Sequence, residues 1–396
     1  MINNFKLYTP TKVIFGKETQ LQVGKLLKEN GATKVLVHYG SDRILKDGLM
    51  KQVTDCLDAE GINYVLLGGV VPNPHVSLIR EGIQLAKKEN VDFVLAIGGG
   101  SVIDSSKAIA YGYYLDKDIW NIYSHAATPT KALPVGVILT LAAAGSEMSN
   151  SSVISNDETM EKRGYRNDLC RPRFAIMNPK LTTTVSDYTT QAGCVDIMMH
   201  TMERYFTSGS KMDLTDAIAE GLLRTVMHHA SILHKDPTNY ESRAEVMWAS
   251  SLSHNDLTGC GNDADDFVSH ALEHELSAKY DVSHGAGLAA IWPSWARYVY
   301  KDCLGRFVKF TKNVMELERK ANENDEDYAL RGINAIEAFF KSLDMPITLK
   351  ELGIEATDED LVYMAKHLSD LYGGKRGSAK VLHEEDFLNI YRLANH

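Results

Sequence analysis

From Lys34 to Ile97 short β-branched runs alternate with amphipathic helical patterns, and the last of these runs ends directly in Gly98-Gly99-Gly100-Ser101. No other feature limits the fold so strongly. Strands are expected at Lys34 to His38, Asn63 to Leu67 and Asp92 to Ile97, with helices near Thr19 to Glu29, Asp47 to Ala59 and Val76 to Lys88. Such alternation predicts a parallel sheet covered by helices on both faces. Ligands of these sheets gather at the carboxyl ends of the strands. A helix follows the glycines at once, through Asp104, Lys107 and Ala110, so its free N–H groups and positive end would meet a diphosphate that glycine lets approach closely. The turn is not G-x-G-x-x-G, and a tight turn without a ligand is the plainer reading. Its place between strand and helix favours phosphate.

A further strand is expected at Pro134 to Leu139, followed by Thr140-Leu141-Ala-Ala-Ala-Gly-Ser146-Glu-Met-Ser149, whose small residues and hydroxyls leave room for a flat ring or a ribose. A helix packed on the sheet is the bland alternative. Phe174 to Met177 reads as the last strand, and Phe5 to Tyr8 with Lys12 to Phe15 as a pair of strands forming a first hairpin with an exposed edge. Beyond about Thr184 the pattern is helical: Tyr188 to Tyr205, Asp213 to His234, Ser242 to His254, Asp263 to Lys279, Gly305 to Met315, Asp327 to Ser342, Asp358 to His367 and Glu384 to Ala394. Two domains are therefore expected, an α/β domain over residues 1–184 and an all-helical one over residues 185–396. The acidic stretch Glu316 to Asp327 reads as a solvated loop.

The helical half carries its chemistry in imidazoles and carboxylates. If Val268 to Lys279 is a helix, His270 and His274 share a face one turn apart, and His284 returns from a Gly-flanked turn at Ser283-His284-Gly285. Asp196 and His200 form a second i, i+4 pair. Any one of these is more often an ordinary core or surface residue. Two pairs and a His-Gly turn together make a divalent-metal site a matching explanation, because rigid helices hold ligands at small ordering cost.

With 396 residues, a net charge of -10 and no basic block, the chain is suited neither to nucleic acid nor to an anionic membrane surface. Five scattered cysteines without a Cys-x-x-Cys fit a reducing cytoplasm and leave no thiolate zinc site. No secretory leader or membrane span is expected.

Gly98-Gly-Gly-Ser101 with Asp104 and Lys107, the loop holding Gly145-Ser146-Glu147, Asp196-x-x-x-His200, His270-x-x-x-His274 with His284-Gly285, and Gly373-Gly374-Lys375 together resemble the iron-containing alcohol dehydrogenase family. His270-Ala-Leu-Glu-His274-Glu-Leu-Ser-Ala and Tyr280-Asp-Val-Ser-His-Gly-Ala-Gly-Leu288 are most similar to its butanol dehydrogenase-like group. The resemblance covers almost the whole chain. It implies an N-terminal α/β dinucleotide-binding domain with a parallel sheet, an all-α metal-binding domain in the dehydroquinate synthase-like arrangement, and hydride exchange between primary alcohols such as butanol and their aldehydes. It further implies Asp196, His200, His270 and His284 as metal ligands, with His274 beside the metal without binding it. An imidazole at 274, with an unperturbed pKa of about 6.5, is suited to carry the proton released by the alcohol; shaping the pocket is the plainer alternative. The residues expected at the cofactor, from the two loops, the glycine turn and the resemblance together, are Gly40, Ser41, Arg43, Gly98, Gly99, Gly100, Ser101, Asp104, Thr140, Leu141, Ser146, Ser149 and Lys162. One departure is Ala144, where the family often has threonine, which puts one cofactor hydrogen bond in question.

Three imidazoles and a carboxylate suit Fe²⁺, Zn²⁺ or Co²⁺, and the family favours iron. After the Lys34 to His38 strand, Gly40, Ser41, Arg43 and Lys46 favour NADP(H) over NAD(H), while Asp42 speaks against it. A homodimer is expected from the resemblance and from the frequency of two-fold assemblies. Two rival functions share these residues. His270-Ala-Leu-Glu-His274 also fits the H-x-x-E-H pattern of a metallopeptidase, with Glu273 as base, which would leave the glycine turn unexplained. A non-redox, dehydroquinate synthase-like enzyme would need a phosphate-binding cluster of Lys and Arg near the metal, and none is evident.

Overall fold

The computed structural model describes residues 2–209 and 211–396. The chain divides into two compact units, Tyr8–Thr184 and a second made of Met1–Leu7 with Val185–His396.

The first unit is built on a parallel sheet of β1 (Lys12–Phe15), β2 (Lys34–Tyr39), β3 (Asn63–Leu67), β4 (Phe93–Gly98), β5 (Val135–Leu139) and β8 (Phe174–Met177), in the order β1-β8-β5-β4-β2-β3. Between β5 and β8 lies an antiparallel hairpin, β6 (Ser151–Asn156) and β7 (Glu161–Arg166). The central strands β4 and β5 are buried at every residue, as continuous Val/Ile/Leu runs require when helices cover both faces. Val35, Val37, Leu95 and Ile97 face one layer, with Leu26, Leu27, Val53 and Leu57 from the helices Val23–Glu29 and Leu49–Ala59. The chain leaves β2 for β3 on one side and then crosses to β4 on the other, so the sheet has its topological switch point between β2 and β4. That crevice is where α/β sheets take their ligands.

The expected first hairpin does not form. Phe5–Tyr8 is not a strand, and β1 pairs in parallel with β8, Ile14 opposite Ile176. Pro10 lacks the N–H a ladder needs, and the preceding residues are drawn to the other unit: Asn3 N donates to Gly261 O at 3.1 Å and its Nδ2 to Asp263 Oδ1 at 2.8 Å.

The second unit is helical, and its only extended pairing among the described residues is the bridge between Arg376 and Leu382. Its central helix, Asp187–Tyr205, is capped by Ser186 and buried from Thr190 to Tyr205. Around it lie Asp213–Lys235, Tyr240–His254, Val268–Tyr280 and His284–Val299. His284 is thus the first residue of a long helix rather than part of a turn. Pro293 sits inside that helix, and Trp292 and Trp295 pack there with Phe206, Phe307 and Phe310. Among the described residues no helix is long and apolar enough to cross a membrane.

Candidate active site

Each unit gathers one set of the expected residues. In the α/β unit, the carboxyl ends of the neighbouring strands β2, β4 and β5 carry Gly40-Ser41, Gly98–Ser101 and Thr140-Leu141 respectively, flanking the switch point. The helix Gly100–Gly112 begins at the glycines with no side-chain cap. Its first-turn N–H groups are thereby left for an anion. Glycine at 99 also has a packing cause: a Cβ there would stand 2.8 Å from the Cβ of Leu141. The turn and the Thr140 loop therefore lean on one another.

Behind this surface lies a buried polar network. Lys107, fully buried, donates through Nζ to Ser146 O at 2.7 Å, Ser149 O at 3.0 Å and Ser151 O at 2.7 Å. Asp104 accepts from Ser146 Oγ at 2.6 Å and from Val153 N at 2.8 Å. Burial pushes the Asp104 carboxyl up and the Lys107 ammonium down. Lys162, also buried, adds its charge to that of Lys107 at Asp104. Asp104, Ser146 and Ser149 thus hold the loop's shape. His38 bridges Leu67 O and Ser105 Oγ at 2.8 Å each, tying the sheet to the same helix. Arg43 opens the short helix Arg43–Lys46, and its Nη1 donates to Thr184 Oγ1 at 2.8 Å.

In the helical unit, Asp196, His200 and Glu203 fall at i, i+4 and i+7 on the buried helix, one face of it. Asp196 Oδ1 stands 3.6 Å from His270 Nε2, 3.8 Å from His284 Nε2 and 3.1 Å from His200 Nδ1. Donor atoms of Asp196, His270 and His284 lie within 4.8 Å of one another. His200 is outside that group of three, presenting Nδ1 to Asp196, with its ring 4.5 Å from that of His270. The ring of His274 is 6.4 Å from that of His270 and 5.6 Å from that of His284.

Asp196 Oδ1 and His270 Nε2 are buried and neither makes a hydrogen bond. Orphaned buried polar atoms are costly. A divalent cation among these donors would satisfy both, so the residues present fit a metal. Against the cost of burial, His200 and His284 hold the Asp196 carboxyl well below the usual carboxylate range. Burial holds His200 neutral, its value lowered to about 4, and for His270 the carboxylates of Glu203 and Asp196 outweigh burial and raise it to about 9. A field that strong in negative charge suits a dication.

Sequence reasoning gave Glu203 no role. It is wholly buried, and its carboxylate bonds His270 Nδ1. Glu273, weighed only as a peptidase base, bonds His284 Nδ1 and Ser277 Oγ with its two oxygens. The i+7 spacing of Glu203 from Asp196 was the available signal. His254, likewise unremarked, has its ring 4.0 Å from that of His200.

Two family models match the chain. The model for iron-containing alcohol dehydrogenase covers residues 10–179, and the C-terminal model of the Fe-containing alcohol dehydrogenase family covers residues 190–394. The chain belongs to the iron-containing alcohol dehydrogenase family. This dehydrogenase is 41% identical over 390 residues to NADH-dependent butanol dehydrogenase A of Clostridium acetobutylicum, covering 98% of this chain and 99% of that one. It is 32% identical to the NADPH-dependent aldehyde reductase YqhD of Escherichia coli, over 90% of this chain and 91% of the relative. The solved structure of NADH-dependent butanol dehydrogenase A from Thermotoga maritima matches with a TM-score of 0.95 at 36% identity, covering 100% of this chain and 99% of that one. The dehydrogenase is an oxidoreductase of the alcohol dehydrogenase and aldehyde reductase kind, and neither the peptidase nor the non-redox reading is favoured.

Proposed function

We propose that the enzyme interconverts primary alcohols such as butanol with their aldehydes, using NAD(H) and a divalent metal held by Asp196, His200, His270 and His284. The observation that carries the metal is the pair of orphaned atoms, Asp196 Oδ1 and His270 Nε2, in a cluster of donors. When bound, the ion supplies Lewis acidity that polarises the substrate oxygen, and the family favours iron for it. The nicotinamide cofactor supplies the hydride acceptor or donor. The glycine turn Gly98–Ser101 presents helix N–H groups to its diphosphate, and Lys107 with Asp104 keeps the Thr140 to Ser149 loop in the shape that receives the ring. His274 accepts the alcohol proton on a ring nitrogen and returns it in aldehyde reduction.

The loop after β2 speaks against the expected NADP(H). Arg43 is engaged by Thr184, while Asp42 is exposed at a position where a carboxylate grips ribose hydroxyls and repels a phosphate. The relatives named as NADH-dependent butanol dehydrogenases are 38–41% identical, against 32% for the NADPH-dependent reductase. These support NAD(H). A homodimer is supported by the one-sided pairing of β1 at the sheet edge, and a cytoplasmic setting by five free cysteines.

The test is to strip the protein of metal, restore Fe²⁺, Zn²⁺ or Co²⁺ singly, and follow nicotinamide absorbance with butanal and either NADH or NADPH. Metal-dependent oxidation of NADH is the expected result. Turnover indifferent to every metal would sink the assignment.

A further inference from the structure

The two buried glutamates behind the histidines are not equivalent. Glu203 spends both oxygens on one residue: Oε1 accepts the backbone N–H of His270 at 3.1 Å and Oε2 takes its ring Nδ1. His270 is the third residue of the helix Val268–Tyr280, whose N-cap, Phe267, supplies no side-chain hydrogen bond. Glu203 therefore caps that helix from a neighbouring one while it orients the ring. Glu273 is shared between two residues, with Oε2 on His284 Nδ1 and Oε1 on the hydroxyl of Ser277. A second acceptor, Val282 O, lies 3.4 Å from that hydroxyl. Gly287 gives Glu273 its room, since a Cβ there would meet Glu273 Cγ at 2.9 Å.

We propose that Glu203 and Glu273 are positioning residues that hold His270 and His284 in the Nδ1–H tautomer, so that Nε2 of each is the lone-pair donor, and that Glu203 alone cannot be replaced by its amide. The inference rests on the metal reading above. A ligating histidine takes its tautomer and direction from the partner of its other nitrogen, and loss of that partner typically weakens metal affinity about 10–100-fold. Glutamine offers one acceptor and one donor. At 203 both groups opposite are donors. Either the amide NH₂ confronts the backbone N–H of His270, or it donates to Nδ1 and moves the ring proton to Nε2, which then cannot ligate. At 273 the same change is absorbed. The amide oxygen accepts from His284 Nδ1–H, its NH₂ donates to Ser277 Oγ, and the Ser277 hydroxyl turns to Val282 O.

The experiment measures the affinity of chelator-stripped, full-length protein for Zn²⁺ and Co²⁺ by competition with a chromophoric chelator, and reads the Co²⁺ visible spectrum, with folding checked by circular dichroism. Glu203→Gln should weaken binding about 10–100-fold, and at least about tenfold more than Glu273→Gln, with an altered Co²⁺ spectrum in Glu203→Gln alone. Both variants lose one negative charge, so equal losses would reduce the glutamates to an electrostatic role and overturn the proposal. If Glu203→Gln does not fold, the pair Glu273→Met and Glu273→Gln decides. Methionine leaves His284 Nδ1–H without an acceptor and should bind metal at least about tenfold more weakly than glutamine does; equal affinities overturn the proposal. A wild-type protein that binds neither ion would instead defeat the metal reading itself.

Discussion

His270 Nε2 and Asp196 Oδ1 face one another across 3.6 Å, both buried and both without a hydrogen bond. Two polar atoms in this state lie on different helices, so the fold holds them there at a cost that a bound cation removes. Asp196→Asn or His270→Ala should therefore lose metal and activity together while the helical unit stays folded. Several kcal/mol of Lewis-acid stabilisation correspond to a fall in turnover of roughly a thousandfold or more. Metal analysis beside circular dichroism checks it, and full metal content with full activity would refute the ligand set.

His274→Phe should behave differently. Its ring lies beside His270 and His284. The variant is expected to keep its metal and lose about 10- to 1000-fold in turnover, with an altered pH profile. Loss of the metal would make His274 a ligand instead.

Gly99→Ala puts a methyl where Leu141 already stands, at 2.8 Å from its Cβ. The Thr140 loop must shift away from the glycine turn, and the Michaelis constant for the cofactor should rise roughly tenfold with metal content unchanged. A cofactor constant equal to that of the wild type would separate the loop from cofactor binding.

Asp42→Ser should move cofactor preference toward NADPH. Removing one carboxylate beside a ribose phosphate is worth on the order of 1–2 kcal/mol, about tenfold in the ratio of kcat/KM values. An unmoved ratio would place the selection elsewhere in the loop from Gly40 to Lys46.

His38 gives the α/β unit an acid-sensitive joint. Burial, opposed by its bond to Leu67 O, lowers the ring to about 4, against about 6.5 in an unfolded chain. Between those values the unfolded chain takes up a proton that the folded one refuses. The contribution is complete above pH 6.5 and is lost as pH falls toward 4, by roughly 3 kcal/mol in all. Because His200 and His270 are also shifted in the folded chain, the quantity to measure is the difference in urea stability between wild type and His38→Gln from pH 7 to 4.5. That difference should change with pH in the stated direction, and a flat one would mean the ring takes up its proton equally in the folded and unfolded chain.

How far these elements were legible depends on what each sequence signal encodes. The buried strands β2, β4 and β5 could be read because uninterrupted Val, Ile and Leu runs fit a two-sided parallel sheet. The helix beginning at His284 was hidden by Gly285, Gly287 and Pro293, residues that weaken helices locally but here permit close packing: a Cβ at Gly285 would stand 1.9 Å from Ala192 O. Tertiary contact overrides propensity there. In the hairpin, β6 alternates half-buried with buried residues and β7 mostly half-buried with exposed ones, a weak period-2 signal over six residues per strand. Asp196 and the histidines could be found by spacing, and the i+7 step from Asp196 marks Glu203, whereas the partners that give Lys107 and Glu203 their roles lie far along the chain, where spacing does not reach.

The tie between Asn3 and the Gly261 to Asp263 segment means that the helical unit is discontinuous in the gene. The chain crosses between units twice, after Leu7 and after Thr184. An expressed fragment starting at Val185 would lack the N-terminal segment that bonds Gly261, and a fragment ending at Thr184 would carry that segment without its partner. Mixing the two fragments, rather than producing either alone, is the way this enzyme would be rebuilt from halves.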